Sequence, residues 1–131
     1  MPPLRICRAF VSFDFDHDGA LKNLLVGQAR HGSSPFVIED WSIKLASRGW
    51  KADARRRIRR ADILIIICGH HTHQAVGVSA ELAIAKEEKK PYRLLAGRKS
   101  GGNRRPQGAW FWETMHKWTW ENLRAITTGS R

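Results

Sequence analysis

Acidic and aromatic side chains follow the first apolar run of this chain, in segment 13–19, which reads FDFDHDG. The spacing of these acids matches the opening of an EF-hand calcium loop, but the twelfth position of that motif, which must be an acid, is Leu25. The acids also suit the magnesium site of a receiver domain, but Cys68 and Gly69 stand where its acceptor aspartate belongs. We therefore predict neither calcium binding nor phosphoryl transfer to aspartate.

Histidines and one glutamate form the second group of chemically capable residues. His70, His71 and His73 share one loop, and His17 lies in the acidic segment. A closed zinc site normally brings ligands in more defined pairs, so we predict no metal site and assign the loop histidines to polar contacts with a ligand. Glu81 is predicted in the first turn of a helix, where the helix dipole alone favours an acid, so its position by itself indicates a structural role.

Alternating apolar runs and amphipathic stretches predict the elements that position these residues. Runs rich in β-forming residues predict strands at 6–13, 36–43, 62–68, 92–95 and 115–118. Apolar residues at helical spacing predict helices at 18–32, 50–61 and 78–90, and a last helix after residue 118. In the first helix, Leu21, Leu24 and Leu25 are predicted to form one apolar stripe. In the second helix the residues predicted to face the core are Trp50, Ala54, Ile58 and Ala61.

This order of elements predicts an α/β fold: a doubly wound, five-stranded parallel sheet of the flavodoxin-like type, with strand order 2-1-3-4-5 and helices on both faces. In such sheets, ligands bind beyond the carboxyl ends of the strands, where the order reverses between the first and third strands. That rule selects the loops 13–19, 41–42 and 69–77. We therefore predict the functional site at this edge of the sheet.

The chain has 131 residues, the size of one compact domain, and we interpret residues 1–131 as a single domain. Its longest apolar stretch, 63–68, is far shorter than the roughly 20 residues that span a membrane, and its first residues form no apolar signal region. We predict a cytoplasmic protein with no membrane partner. Cys7 and Cys68 are predicted to be reduced, buried thiols in separate strands.

The charge of the chain is unusual, with a net charge of +11 and a pI near 10.7. The densest positive patch is predicted on the second helix, at Lys51, Arg55, Arg56, Arg57, Arg59 and Arg60. Nucleic acid, a phosphorylated small molecule, or solvent around a face that keeps the protein soluble would each suit such a patch. No nucleic-acid-reading motif accompanies it, so nucleic acid is not favoured as a partner.

Three long phrases of the sequence resemble the Toll/interleukin-1 receptor-like (TIR-like) family of the bacterial Thoeris antiphage defence system. They are RAFVSFDFDHD at 8–18, ICGHHTHQAVGVSAEL at 67–82 and HKWTWENL at 116–123, and the resemblance covers nearly the whole chain. It implies a TIR-like domain that consumes NAD on phage infection. It also implies a cyclised ADP-ribose product that activates a separate effector protein.

The resemblance also implies roles for individual residues. The family's catalytic acid lies on the third helix and matches Glu81, which we therefore interpret as catalytic. One carboxylate can stabilise the positive charge that develops on the ribose as nicotinamide leaves. The residues predicted to bind NAD are Phe13, Asp14, Phe15, Trp41, His70 and His73. The aromatic side chains would stack on the rings and exclude water, and the histidines would add charge near the pyrophosphate.

No cofactor is predicted, because the chain has neither G-x-G-x-x-G nor G-x-x-x-x-G-K-[ST], so NAD would bind as a substrate. A second hypothesis is a non-catalytic interaction module that assembles as a homo-oligomer, with the aromatic tail and the basic second helix as contact surfaces. A third hypothesis is nucleic-acid binding through 55–60 and 98–105.

Overall fold

The computed structural model of this protein describes residues 6–43 and 48–129. Within these ranges, strands and helices alternate along the chain. The strands are β1 (Cys7–Ser12), β2 (Phe36–Trp41), β3 (Ile63–Cys68), β4 (Tyr92–Ala96) and β5 (Met115–His116). The helices are α1 (Gly19–Ala29), α2 (Trp50–Arg60), α3 (Val76–Glu87) and α4 (Trp120–Thr128), with a 3-10 turn at Thr72–Gln74.

The strands form one parallel sheet in the order β2-β1-β3-β4-β5, which confirms the predicted fold and strand order. The order reverses between β1 and β3, so a crevice opens beyond their carboxyl ends. The register places Val11 of β1 opposite Trp41 of β2, and Ser12 opposite Ile66 of β3. The ends of β1 and β2 therefore lie side by side where the crevice begins.

The core has two layers, one on each face of the sheet. All the residues of β3 are buried, as its continuous apolar run predicted. Leu64 and Ile66 pack with residues of α2 and α3, whereas Ile65 and Ile67 pack with residues of α1 and α4. Because both faces are covered, the strand ends form a firm base for the loops that follow them.

Helix α3 begins at Val76, earlier than the predicted start near Val78. Val76 is 70% exposed, so the apolar pattern used for the prediction could not mark the start of the helix. Glu81 therefore lies beyond the first turn, and the first turn contains no acid. The helix dipole acts mainly within the first turn, so it does not explain an acid at position 81.

Helix α2 buries the predicted residues Trp50, Ala54 and Ile58, and Ala61 directly after its end is also buried, which confirms the predicted inward face. Its cationic face contacts carboxylates of the same chain. Arg55 and Arg59 pair with Glu88 at the end of α3, and Arg57 pairs with Asp40 of β2 at 2.9 Å. Hydrogen bonds from Arg59 and Arg55 lower the pKa of Glu88 to about 2. Internal acids thus neutralise part of the patch, for which the sequence had left an external anion and solvent both open.

The basic loop 97–108 carries several hydrogen bonds that hold its backbone. The Arg98 amide donates to Asn103 Oδ1 and Asn103 Nδ2 donates to the Arg98 carbonyl, each at 2.9 Å. The Arg104 amide donates to the Gly69 carbonyl, also at 2.9 Å. The loop is therefore bonded both to itself and to the loop that follows β3.

Both cysteines are reduced thiols, as predicted. Cys68 is buried, and its burial raises the pKa of the thiol to about 12. Cys7, predicted to be buried, is only partly so, because it lies at the first residue of β1, outside the enclosed centre of the sheet. Across the described ranges 6–43 and 48–129, no helix is long and apolar enough to cross a membrane.

Candidate functional site

A cavity of about 310 Å³, here called the Glu81 cavity, opens at the carboxyl edge of the sheet. Residues 13–17 after β1, Ser42 and Ile43 after β2, and residues between positions 71 and 81 line it. These segments lie at the point where the strand order reverses, as the rule for doubly wound sheets predicted. The cavity thus brings together loops that are far apart in the sequence.

Glu81 lies at the floor of the Glu81 cavity and is 1% exposed. Its Oε1 accepts hydrogen bonds from the Ser12 hydroxyl at 2.7 Å and the Ser42 hydroxyl at 2.5 Å. Its Oε2 is buried and has no hydrogen-bond partner among the residues that the structure describes. A buried acceptor that has no donor destabilises the protein by about 1–3 kcal/mol. A ligand hydroxyl that donates to Glu81 Oε2 would remove this penalty, which favours binding of such a ligand.

The protonation of Glu81 depends on its burial. Desolvation raises the pKa of its carboxyl to about 7, because burial disfavours the charged form. The hydrogen bonds from Ser42 and Ser12 act in the opposite direction, since they stabilise the carboxylate. The Glu81 carboxyl therefore changes between its protonated and ionised forms near neutral pH. Shifted pKa values of this kind are common among acidic residues of active sites.

The surrounding fold fixes the position of Glu81 and of Ser42. Helix α3 inserts the neighbouring Leu82 fully into the core, which sets the rotation of the helix. The Ser42 amide donates to the Val11 carbonyl at 2.9 Å, and its hydroxyl oxygen accepts from the Phe13 amide at 3.1 Å. The Ser42 hydroxyl therefore joins the β1 loop to the carboxylate of α3.

Phe13 and Phe15 supply the aromatic surface of the Glu81 cavity. Phe13 is buried, whereas Phe15 is 48% exposed. Their rings are stacked, with centroids 6.1 Å apart and planes at 27°. A planar ligand could extend this stack, because Phe15 presents much of its surface to solvent at the cavity.

Asp14 also lines the Glu81 cavity, but both of its carboxylate oxygens have partners within its own loop. Oδ1 accepts from the Asp16 amide at 3.1 Å, and Oδ2 is 2.7 Å from His17 Nδ1. The His17 ring in turn stacks on His71, with centroids 4.0 Å apart. Asp14 therefore holds the β1 loop in shape and fixes one wall of the cavity.

The other residues predicted to bind substrate, Trp41, His70 and His73, lie outside the cavity lining. Trp41 packs against the core layer of α1 and α4, because adjacent strand residues point to opposite faces and Ser42 takes the cavity side. His70 Nε2 is 2.9 Å from the Gly101 carbonyl oxygen. The His73 carbonyl accepts from Gln107 Nε2 at 3.3 Å. These histidines contact the loop after β4.

The sequence did not identify the two serines that hold Glu81. Ser12 is a fully buried hydroxyl in an apolar strand, which is a weak sign of a polar partner elsewhere. Ser42 lay in one of the selected loops, but its partner could not be deduced from sequence spacing. Glu81 is separated from Ser12 by 69 positions and from Ser42 by 39, so only the fold shows that they meet.

The histidines near the cavity are distributed over separate contacts. His17 and His71 stack on each other, whereas His70 contacts the loop after β4. Over residues 6–43 and 48–129, no group of three or more His, Cys, Asp or Glu side chains is arranged to hold a metal ion. The groups at this site that can take part in chemistry are the Glu81 carboxylate and the two serine hydroxyls.

Asp18 and Gly69 form a close contact behind the β1 loop. Asp18 is 1% exposed, and its Oδ1 accepts from the Arg98 guanidinium at 2.9 Å. A Cβ atom added at Gly69 would lie 2.3 Å from Asp18 Oδ2. Because Asp18 is buried and held by Arg98, it has little room to move.

We therefore expect Gly69→Ala to destabilise the protein by about 1–3 kcal/mol, through overpacking against Asp18. Chemical denaturation would measure this free energy. The matched control is Gly27→Ala in α1, where an added Cβ meets nothing within 4 Å, so stability should stay level or rise. Equal effects of the two substitutions would contradict the close contact.

Comparison with known proteins does not place this chain in a family: no family model matches it, and no curated protein matches it. The resemblance to the TIR-like family therefore remains an expectation from the sequence. A functional assignment has to rest on the residues and geometry of the Glu81 cavity.

Proposed function

We propose that this protein is a TIR-like enzyme that cleaves nicotinamide from NAD and forms a cyclic ADP-ribose-type messenger. The observation that carries the proposal is the Glu81 carboxylate, buried at the floor of a cavity with aromatic walls. Two serine hydroxyls bind one of its oxygens, and the other oxygen has no partner among the described residues. A ribose hydroxyl would supply the missing donor.

The reaction breaks the bond between ribose C1′ and the nicotinamide nitrogen. The bonding electrons leave with nicotinamide, which neutralises its ring charge, and positive charge develops on the ribose. Ionised Glu81 would stabilise that charge, and its effect is strong because the carboxylate lies in a poorly hydrated site. An adenine nitrogen then forms a new bond to C1′ and closes the ring, unless water attacks first.

The shape of the Glu81 cavity suits one end of NAD. Its volume of about 310 Å³ is at the lower end of ligand pockets, which span about 300–1,000 Å³. We place the nicotinamide riboside half in the cavity, with the ring against Phe13 and Phe15. The adenosine half would extend over the exposed surface of Phe15 and Val76. Apolar side chains on both sides would limit access of water to the reacting carbon.

The direct test is incubation of the purified protein with NAD, alone and with lysate from phage-infected cells. We expect nicotinamide release, with separation by chromatography and mass spectrometry showing a cyclic product. Unchanged NAD under both conditions, together with no nucleotide density after soaking crystals in NAD, would refute the proposal. As the resemblance implies, the product would act in the cytoplasm on a separate effector protein.

Ser42 provides a test of how the carboxylate is held. We expect Ser42→Ala to raise the pKa of Glu81 above about 7, because the variant loses a hydrogen bond that favours the carboxylate. The acid limb of the pH–rate profile should move to higher pH, and the rate at pH 7 should fall by about 10-fold. The profile is measured as kcat/KM for NAD.

Ser12→Ala is the matched comparison, because Ser12 also donates to Glu81 Oε1 but does not accept from the Phe13 amide. Both variants should shift the profile in the same direction, and Ser42→Ala should lose more stability. A fall in rate with no change in the pH profile would show that the serines act on folding alone.

Protein–protein assembly is a second candidate function, and one observation favours it. Trp110, Phe111 and Trp112 are 55%, 82% and 64% exposed, and the indole rings are stacked 4.8 Å apart. Three consecutive exposed aromatic residues, here called the aromatic ridge, are unusual on a protein that acts alone. The basic face of α2 is less suited to the same role, because its arginines pair with acids of this chain.

If the aromatic ridge mediates a homo-oligomer, light scattering should show a mass that falls when Phe111 and Trp112 are both changed to serine. Glu81→Gln should leave this mass unchanged, because Glu81 lies in a separate cavity. A monomer at every concentration would contradict homotypic assembly. Nucleic-acid binding is not proposed, since no feature of the described residues favours it over these functions.

A further inference from the structure

A second cavity, of about 720 Å³, lies beyond the carboxyl ends of β4 and β5; we call it the β4 cavity. Its walls come from α1, the loop after β4 and the segment after β5. None of the described residues lines both cavities. In parallel α/β sheets the carboxyl edge is where ligands bind, so a second cavity at this edge is a candidate binding site.

One side of the β4 cavity is aromatic and apolar. Trp118 lines it, and its Nε1 donates to Gln28 Oε1 at 2.8 Å, which fixes the orientation of the indole. Leu24 lines the same side and is 54% exposed, although its spacing predicted that it would face the core. A fixed indole beside an exposed leucine offers a surface for a planar ring.

The other side of the β4 cavity is cationic. Arg98, Lys99 and Lys117 line it, and the described residues that line it include no acid. Neither lysine forms an ion pair with any residue in the part of the chain that the structure describes. The loop that carries Lys99 is held in place by the paired hydrogen bonds between Arg98 and Asn103. The two ammonium groups are therefore available to an anion.

Arg98 has a different role from the two lysines. It donates to Asp18 Oδ1 at 2.9 Å and to the His17 carbonyl at 3.3 Å. Asp18 is buried, so this ion pair is required to balance its charge. Arg98 therefore stabilises one wall of the β4 cavity through its contacts with Asp18 and His17. Lys99 and Lys117 are the cationic residues left to contact a ligand.

We propose that the β4 cavity binds a nucleotide 5′-phosphate, with the base against Trp118 and Leu24 and the phosphate between Lys99 and Lys117. A planar apolar surface facing two lysines without acidic partners fits a ligand that has a ring at one end and a dianion at the other. The volume lies within the range of small-molecule pockets, about 300–1,000 Å³. This site does not depend on activity in the Glu81 cavity.

Calorimetric titration with AMP tests the proposal, with adenosine and inorganic phosphate as separate probes. We expect AMP to bind more tightly than either probe, because it alone contacts both sides of the cavity. The double variant Lys99→Ala/Lys117→Ala should weaken AMP binding by at least about 10-fold. The matched control, Lys51→Ala/Arg124→Ala, removes the same net charge from exposed positions on α2 and α4 and should bind as the unmodified protein does.

Four results would overturn the proposal. AMP that fails to bind at millimolar concentration, or binds equally to the two double variants, would exclude recognition by the lysines. Adenosine or phosphate that binds as tightly as AMP would exclude one side of the site. Binding that is lost in Phe15→Ala but kept in the lysine variant would assign AMP to the Glu81 cavity. In each arm, circular dichroism should show an unchanged fold.

Discussion

Under the proposed function, replacement of Glu81 by glutamine is expected to lower NAD cleavage by at least about 100-fold, the size of effect seen when one group that stabilises transition-state charge is removed. Glutamine keeps the shape of the side chain and still accepts from Ser12 and Ser42, but it carries no negative charge. The lost charge is the one that would stabilise the ribose cation. The measurement is kcat/KM from nicotinamide release under the conditions that activate the unmodified protein.

The matched control is Glu87→Gln, at the last residue of the same helix. The Glu87 side chain is 60% exposed, pairs with Arg55 on the surface, and is not among the described residues that line the Glu81 cavity. Surface ion pairs contribute little to stability, so this variant should retain full activity. Turnover that persists in Glu81→Gln would remove this carboxylate from the mechanism, even if NAD consumption itself is confirmed.

The raised pKa of Glu81 also predicts how the rate in the same assay depends on pH. Only the ionised carboxylate can stabilise the cation, and burial raises its pKa to about 7. The value of kcat/KM should therefore increase as pH rises through about 7 and then level off. A rate that is flat from pH 5 to 8 would contradict this role.

The second large effect concerns stability and has the opposite sign: Glu81→Gln is expected to stabilise the protein at pH 8. The pKa of Glu81 is about 7 in the folded protein, whereas the ordinary value for a glutamate, taken here for the unfolded chain, is 4.5. The folded state therefore binds the proton more tightly than the unfolded state. The stability that this group contributes is fully present below pH 4.5 and is lost as pH rises through about 7.

The lost contribution amounts to about 3 kcal/mol, at 1.36 kcal/mol for each pH unit between the two pKa values. Glutamine has no charge to desolvate, so it avoids this loss. At pH 8 the variant should melt up to about 10 °C above the unmodified protein. At pH 4.5 the two melting temperatures should coincide, because both side chains are then neutral in the folded state.

Differential scanning calorimetry from pH 4.5 to pH 8 would measure both curves. The Glu87→Gln variant again serves as the control, because its carboxylate is exposed. A difference in melting temperature that is the same at every pH would show that the effect comes from packing. A buried acid that weakens the fold is expected where a charge is held ready for a ligand.

Much of the fold could be predicted from the sequence because the signal is local. The continuous apolar run of β3 indicated a strand covered on both faces, and the structure buries all of it. The spacing of Trp50, Ala54 and Ile58 set the inward face of α2. The alternation of strands and helices then left few topologies, since crossovers between parallel strands are right-handed.

Local patterns failed where a residue serves a cavity or an outer surface. Leu24 fits the apolar stripe of α1 but is 54% exposed beside the β4 cavity. Helix α3 begins at the exposed residue Val76, which the apolar pattern could not mark. Glu81 therefore lies beyond the first turn, although the pattern had placed it within that turn. Periodicity indicates which residues can face a core, but it does not show how far that core extends.

The sequence by itself determined the sheet, its order and the edge at which the loops meet, because these follow from periodicity along the chain. Only the tertiary structure showed that Ser12 and Ser42 bind Glu81, and that Trp41 turns to the other side of β2. Hydrogen bonds between residues 39 and 69 positions apart depend on register and helix rotation. Those are set by packing across the whole core, and no local pattern contains them.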